Sequence, residues 1–298
     1  MSDAIIECKN LTHRYGDQLV YEDLNFTVEK GRIFGLLGKN GMGKTTTINI
    51  MMGFLRPTAG SIYIFGEESH NLSPATRTRI GLLHEGHLTY DFMNVEEVER
   101  FFSRFYPGWE KKFYYDLIDK MGMNYDHKIS NMSCGQRSQV VLGLIMAQDP
   151  ELMILDDYSM GLDAGYRRLF IDYLRHFVDQ RNTTVLITSH IIQDLEKLID
   201  DAIILGDQKV LLQMNIQDFI DNFHQYNFTL PEAQIELTND EYIANYETIA
   251  DKYRIYSFKS REEITEYLNQ RNVQISKSDI NEISMSLEDA FIGLTGKY

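Results

Sequence analysis

The sequence predicts an α/β fold with a mainly parallel central sheet. Apolar runs at residues 80–83, 152–155 and 184–188 are typical of strands covered on both faces. Helix-like segments separate them, and this alternation of strand and helix favours a parallel sheet. A further run, residues 33–37, precedes a glycine-rich turn and a helix-compatible segment, so we assign it to the same sheet.

Three regions differ from this core. Residues 5–8 and 24–28 lie on either side of a turn at Gly16 and predict an antiparallel N-terminal β subdomain. Apolar residues spaced three and four apart between 94 and 146 predict a helical subdomain, inserted over about residues 88–160. After a hairpin that turns at Gly206, a weakly patterned acidic tail predicts a small C-terminal α/β appendage.

Composition excludes several classes of protein. The chain has 298 residues, of which 43% are hydrophobic and 24% charged, as in ordinary globular proteins. Its net charge of −15 opposes a broad nucleic-acid surface, so no nucleic-acid partner is expected. No apolar run approaches the roughly 20 residues that span a bilayer, and no secretory signal is visible. Two cysteines form no disulfide framework, which favours the cytoplasm.

One segment matches the phosphate-binding pattern G-x-x-x-x-G-K-[ST] between a strand and a helix. It comprises Gly38, Lys39, Asn40, Gly41, Met42, Gly43, Lys44 and Thr45, with Thr46 following. Glycines let backbone N–H groups converge on a phosphate, a lysine can reach the β- and γ-phosphates, and a threonine hydroxyl can hold Mg²⁺. The alternative is a glycine turn that matches by chance. The context favours a P-loop NTPase-like core with a nucleotide site.

Two carboxylates follow the strand at 152–155. Ligands of α/β sheets bind at the carboxyl ends of strands, so Asp156 suits the Mg²⁺ shell and Asp157 can polarise an attacking water. By itself such a pair is more often a loop start or a helix cap. The phosphate loop upstream favours the catalytic interpretation.

Residues 131–136, Asn-Met-Ser-Cys-Gly-Gln, precede an apolar helix-like stretch. Small polar residues at such a position predict either a helix cap or a second anion site.

The order of these motifs resembles the nucleotide-binding subunit of an ATP-binding cassette (ABC) transporter, over roughly residues 3–225. The resemblance implies that Tyr15 stacks on adenine. Residues 132–136 resemble the family's L-S-G-G-Q signature, which caps the γ-phosphate held by the opposite subunit. It implies that this role belongs to Ser133, Cys134, Gly135 and Gln136. A head-to-tail dimer with MgATP between its subunits is therefore expected.

The resemblance also implies the remaining site residues. Asp163 matches the loop that contacts the other subunit, and His190 matches the switch histidine at the γ-phosphate. The family works with a separate membrane permease, so we expect a peripheral position on the inner face of the cell membrane. Aromatic residues such as Tyr90, Phe92 and Trp109 either form core or line the permease groove. Residues 286–296 resemble drug- and peptide-exporting subunits, and residues 226–298 form an accessory domain.

Three positions differ from the family pattern. Asp157 replaces the usual glutamate, which predicts slow hydrolysis or the weaker half of a heterodimer. Glu85 replaces glutamine, yet its carboxylate can still approach Mg²⁺ beside Thr45 and Asp156. Cys134 replaces the first signature glycine and is either a tolerated small residue or a redox-sensitive thiol.

The expected function is thus an ATP-hydrolysing motor of a transporter, and an exporter is favoured. The second ATPase subunit is either identical or homologous. The alternatives are a catalytically weak ATP-binding subunit and a soluble ABC ATPase without a transport role.

Overall fold

The computed structural model describes residues 4–84, 90–159, 161–230, 235 and 237–296. The chain divides into two compact units, Met1–Gln213 and Met214–Tyr298. The boundary predicted from sequence, after residue 225, falls inside a strand of the second unit.

The first unit holds ten of the described strands and seven of the described α-helices, counting β10, whose last two residues belong to the second unit. The strands are β1 (Ala4–Tyr15), β2 (Gln18–Glu29), β3 (Ile33–Gly38), β4 (Ala59–Ile64), β5 (Glu67–Glu68), β6 (Ile80–Leu83), β7 (Leu152–Leu155), β8 (Thr184–Ile187), β9 (Asp201–Gly206) and β10 (Lys209–Asn215). The helices are α1 (Lys44–Met51), α2 (Pro74–Arg77), α3 (Val95–Phe102), α4 (Lys111–Lys120), α5 (Cys134–Ala147), α6 (Ala164–Arg181) and α7 (Ile192–Leu195).

A six-stranded sheet in the order β10-β9-β3-β8-β7-β6 forms the centre of this unit. Strand β3 pairs in parallel with β8 and β9, and β7 pairs in parallel with β6 and β8. Every residue of β7 and β8 is buried, as the continuous apolar runs predict. The predicted parallel core is confirmed, and its strands end beside the phosphate loop.

The N-terminal strands form a second sheet, in the order β2-β1-β4-β5. Strand β1 pairs antiparallel with both β2 and β4, which confirms the antiparallel subdomain. Its buried side chains, including Ile6, Leu24 and Ile62, share one core with β3 and α1. This shared core holds the second half of α1 against the antiparallel sheet.

The helices α3, α4 and α5 form the predicted insertion. Asn94 caps α3 through a reciprocal pair of hydrogen bonds with Glu97, and Val95 and Val98 are fully buried. The helices end at Ala147, so the predicted range of about 88–160 includes β7, which belongs to the six-stranded sheet.

The second unit is a small α/β structure, as the sequence predicts. Its elements are α8 (Ile216–Asn222), β11 (His224–Thr229), β12 (Asn245–Ile249), β13 (Lys252–Ser257), α9 (Arg261–Gln270), β14 (Asn281–Ile283) and α10 (Leu287–Thr295). The strands form an antiparallel sheet in the order β12-β13-β11-β14. One sheet face, with Tyr226, Phe228 and Ile255, packs on α9 in a core of its own.

Candidate functional site

The glycine-rich loop joins β3 to α1, as its sequence predicts. Gly41 and Gly43 have φ angles of +81° and +86°, which side chains disfavour. At Gly43 a Cβ atom would also lie 2.6 Å from the Tyr21 ring. The loop therefore needs glycine at 43 both for its backbone conformation and for the close approach of β2.

Lys44 is the first residue of α1, and its side chain reaches back into the preceding loop. Its ammonium donates hydrogen bonds to the carbonyl oxygens of Gly38 (2.7 Å) and Lys39 (3.2 Å). Burial lowers the pKa of this ammonium, and the charges of Asp156 and Asp157 oppose that effect. The structure thus places a cation where a phosphate held by the loop would meet it.

Asp156 lies across the cleft from Thr45. Its Oδ1 accepts a hydrogen bond from the Thr188 hydroxyl at 2.9 Å and lies 3.4 Å from the Thr45 hydroxyl. Its Oδ2 is buried without a hydrogen-bond partner among the described residues. Mg²⁺ in phosphate sites prefers one or two protein oxygens together with phosphate oxygens. An unpartnered carboxylate oxygen beside a hydroxyl fits that ion.

The Asp157 carboxylate contacts the predicted switch histidine, His190. Its Oδ2 lies 3.1 Å from Nε2 of His190, and its Oδ1 accepts a hydrogen bond from the Ser159 hydroxyl. Its backbone N–H donates to Thr188, and its φ of +44° is left-handed. The carboxylate is nearly buried, at 8% exposed, whereas His190 is 54% exposed. The imidazole therefore lies between the carboxylate and open solvent.

Tyr15 borders the same cleft. Its ring is half-exposed, and its hydroxyl lies 3.4 Å from that of Thr46. The His13 ring packs edge-on against Tyr15, with centroids 4.7 Å apart. Both His13 ring nitrogens are buried without hydrogen-bond partners in the described chain, and burial lowers the His13 pKa.

These residues enclose a cleft of about 320 Å³. Its lining consists of Tyr15, Gln18, Val20, Asn40, Gly41, Gly43, Lys44, Thr45, Thr46, Asp156, Asp157, Thr188, Ser189 and His190. The structure thus brings together the loop, both carboxylates, the tyrosine and the histidine that the sequence singled out.

The signature segment forms the start of α5 instead. Ser133 accepts a hydrogen bond from the Gln136 backbone, and the Gln136 side chain accepts one from the Ser133 backbone. Gly135 lies so close to the Tyr166 ring that a Cβ atom would be 2.5 Å from it. None of these residues lines the cleft of its own chain. Within one chain, the segment acts as a helix cap, the simpler alternative at the sequence level.

Asp163 and Glu85 also lie apart from the described cleft lining. Asp163 caps α6 by accepting a hydrogen bond from the Tyr166 backbone at 2.9 Å. Glu85, for which a Mg²⁺ contact is expected, lies outside the described residues.

Sequence reasoning missed two features of the cleft. It did not assign a role to Thr188, whose hydroxyl contacts both Asp156 and the Asp157 backbone. It also missed Ser189, which follows Thr188, and Gln18 and Val20, which border the cleft from β2. The position of Thr188 at the end of β8 was the available signal, because β8 is the neighbour of β7.

Among the described residues, no helix is long and apolar enough to cross a membrane.

Comparisons with known proteins agree with this geometry. The family model described as ABC transporter matches residues 21–159. The Nod factor export ATP-binding protein I of Burkholderia orbicola is 33% identical over 72% of this chain and 71% of its own length. The bacitracin transport ATP-binding protein BcrA of Bacillus licheniformis is 28% identical over 98% of both chains. A solved ATP-binding subunit of an ABC transporter covers 73% of the chain and 92% of its own, with a TM-score of 0.65 and 24% identity.

Proposed function

Since the chain belongs to the ABC transporter family of ATP-binding subunits and is an ATPase, we propose that it is the motor of an exporter. It acts on a separate membrane permease, as one half of a head-to-tail dimer. The observation that carries the proposal is the cleft in which Lys44, Thr45 and the unpartnered oxygen of Asp156 converge.

The cleft residues that were predicted from sequence have proposed tasks in binding MgATP. The loop N–H groups and Lys44 hold the β- and γ-phosphates. Thr45 and Asp156 hold Mg²⁺, which would neutralise charge on the phosphates. Tyr15 supplies a face on which adenine can stack. Every one of these groups is on the cleft lining.

Hydrolysis further requires a group that orients water. Asp157 is proposed for this role, with His190 as the neighbouring donor to the γ-phosphate. The two groups lie 3.1 Å apart in the structure. Phosphate would compete with Asp157 for the His190 N–H, so binding of ATP would free the carboxylate for water.

The position of the signature segment, away from the cleft of its own chain, supports the proposed head-to-tail dimer. The described lining of the cleft comes from the phosphate loop, from β1 and β2, and from the segments after β7 and β8, and the capped start of α5 contributes no residue to it. A helix N-terminus favours an anion, so α5 of a second subunit can supply the missing contacts. Ser133 and Cys134 would then meet the γ-phosphate in trans.

Mixing two inactive variants tests this arrangement. Lys44→Ala removes the phosphate cation, whereas Ser133→Asp keeps a cap for α5 but adds a charge that repels phosphate. Each is expected to be inactive alone. Mixed after joint refolding, they should recover about a quarter of parental ATPase activity, because half of random pairs are mixed and each mixed pair keeps one intact site of two.

The matched control is Ser133→Asn, which keeps the cap without the charge. It should retain most of the activity. No recovery on mixing, together with normal pairing by size, would contradict a composite site. Mg²⁺-dependent hydrolysis by Lys44→Ala alone would contradict the assigned cleft itself.

The permease is proposed to dock on the helical insertion. Phe92 and Phe105 are 74% and 59% exposed, and their rings form one group with Tyr90 and Phe101. Exposed apolar groups of this kind mark interaction sites. Export is favoured because the relatives similar to this chain include a Nod factor export protein and, over nearly its whole length, a bacitracin transport protein.

Purification from gently solubilised native membranes tests the partner. A multi-spanning permease should co-purify, and a Phe92→Ser, Phe105→Ser variant should lose it while keeping ATP binding. Ribosomal or nucleic-acid partners would contradict the transport role.

A heterodimer is the second candidate, and Asp157 favours it. The side chain is one methylene shorter than glutamate and is held by Ser159 and His190. A second cassette subunit that carries glutamate, co-purified in equal amount, would support this alternative.

A further inference from the structure

The second unit carries a cavity that the ATPase cycle does not use. It holds about 600 Å³ on the sheet face opposite the core with α9. This volume is within the range of small-molecule sites.

Strand register sets the floor of this cavity. Residues directly opposite one another on neighbouring strands share a face. One row crosses all four strands and consists of Glu247, Arg254, Asn227 and Asn281. The next row consists of Ile249, Lys252 and Thr229. These two rows are thus polar except for Ile249, and Phe228 and Tyr253 add aromatic residues to the cavity lining.

The adjacent row is covered, which makes the cavity concave. Tyr256 and Gln225 lie opposite each other in that row. Helix α10 packs on it so closely that Gly293 has no room for a Cβ atom beside the Tyr256 ring. Helix α10 therefore covers one part of the sheet face and leaves the two polar rows open.

The acidic groups of the cavity already have partners. Glu247 forms an ion pair with Arg254 at 3.1 Å and accepts a hydrogen bond from the Tyr256 hydroxyl at 3.5 Å. Asp279 accepts hydrogen bonds from the backbone and hydroxyl of Ser276. Neither carboxylate needs a ligand.

The cationic groups are less satisfied. Lys252 makes no ion pair or side-chain hydrogen bond with any described residue, and the Nε of Arg254 is buried without an acceptor there. The two side chains are two residues apart on β13 and therefore share one face of the sheet, and both line the cavity. A guanidinium and an ammonium side by side suit a carboxylate.

We propose that this cavity binds the carboxyl end of a short peptide whose last side chain is apolar. Lys252 and Arg254 hold the terminal carboxylate, and the amides of Asn227 and Asn281 meet the peptide backbone. Ile249, which is 71% exposed, covers the apolar side chain. Two cations and two acids line the cavity, so a singly charged carboxylate fits better than a doubly charged phosphate.

Calorimetry on the full chain tests the proposal with the tripeptide Ala-Ala-Leu. It should bind, and its C-terminal amide should bind at least about tenfold more weakly, as expected for losing a charged hydrogen bond. Lys252→Gln should weaken the free acid by a similar factor but leave the amide unchanged. Lys259→Gln is the matched control, because this lysine lies outside the cavity lining, and it should bind like the parent.

Three results would overturn the proposal. They are no binding of the free acid, equal binding of acid and amide, and displacement of the peptide by inorganic phosphate at lower concentration than by acetate. The Lys44→Ala variant should bind the peptide normally, so failure at this cavity is separable from failure of the ATP site.

Discussion

At the scale of single residues, Asp157 is the position where activity is most open to change. A displacement of about 1 Å at a catalytic group can cost about a hundredfold in rate. We expect Asp157→Glu to raise steady-state phosphate release by about tenfold or more, and Asp157→Asn to abolish it. An Asp157→Glu turnover no greater than that of the parent would contradict this explanation. The left-handed φ of 157 favours aspartate over glutamate, so the gain in rate should accompany a small loss of stability.

The two cysteines should differ sharply in reactivity. Burial raises the pKa of the Cys8 thiol to about 12, so N-ethylmaleimide at pH 8 should spare it. Cys134 is only partly buried at the start of α5. Its alkylation should leave ATP binding intact but lower hydrolysis at least about tenfold, because the added bulk blocks the proposed trans contact with phosphate.

Peptide mass mapping verifies which thiol has reacted. The Cys134→Ser variant is the control and should hydrolyse ATP at the same rate before and after treatment. Full hydrolysis by a chain modified at Cys134 would contradict both the trans contact and a redox role for this thiol.

His13 should make stability depend on pH. Burial lowers its pKa in the folded state, so the unfolded chain binds the proton more readily. Above the ordinary histidine pKa of about 6.5, His13 is neutral in both states and costs no stability. As the pH falls below that value, the unfolded chain takes up the proton first, so the free energy of unfolding decreases. His13→Phe keeps the ring against Tyr15, and it should lose less stability than the parent between pH 7.5 and 5.5 in urea titrations. Equal losses in both proteins would contradict this assignment.

At the scale of elements, the loop between β3 and α1 should tolerate no side chain at Gly43. Alanine there meets both a left-handed backbone and the ring of Tyr21. Gly41→Ala is the matched control, because its φ is similar but nothing lies within 4 Å of its Cβ position. Gly43→Ala should therefore cost about 1–3 kcal/mol more than Gly41→Ala in the free energy of unfolding. Equal costs would show that the backbone conformation alone matters.

The elements also show how far sequence patterns reach. The run at 152–155 predicts β7 residue for residue, because continuous burial on both faces leaves an unambiguous apolar segment. Strands β4 and β5 were missed. Only Ile62 and Ile64 of β4 are buried, and β5 consists of two half-buried glutamates, so neither strand gives such a signal. The role of Thr188 depends on which strands are neighbours, and that is a property of the sheet rather than of any segment.

At the scale of the whole molecule, the single tryptophan offers a selective probe. Trp109 lies in the first unit and donates to Glu99 at 2.7 Å. MgATP at a hundred times its dissociation constant should stabilise the binding unit by about 2.7 kcal/mol, which would raise the urea midpoint of Trp109 fluorescence. Hydrogen exchange should slow more in α1 than in β13, which belongs to a separate core. Equal slowing of hydrogen exchange in α1 and β13 on addition of MgATP would contradict the prediction that nucleotide stabilises the first unit selectively.

Two features could not be predicted from sequence alone: which contacts form between molecules, and how the strands of the second unit align. The cleft residues that were predicted from sequence belong to motifs that form one site within a single chain, and the structure brings them together. The signature does not join them, because its partner is proposed to be another molecule. Likewise, the cavity of the second unit depends on strand register, to which the weakly patterned tail gives no guide.

The hydrogen bonds of Lys44 to the carbonyls of Gly38 and Lys39 have a consequence for nucleotide binding. Both acceptors belong to the loop itself, so the ammonium braces the loop from within. A nucleotide that enters the cleft should therefore meet a receptor that already has its shape, rather than one that must refold around it.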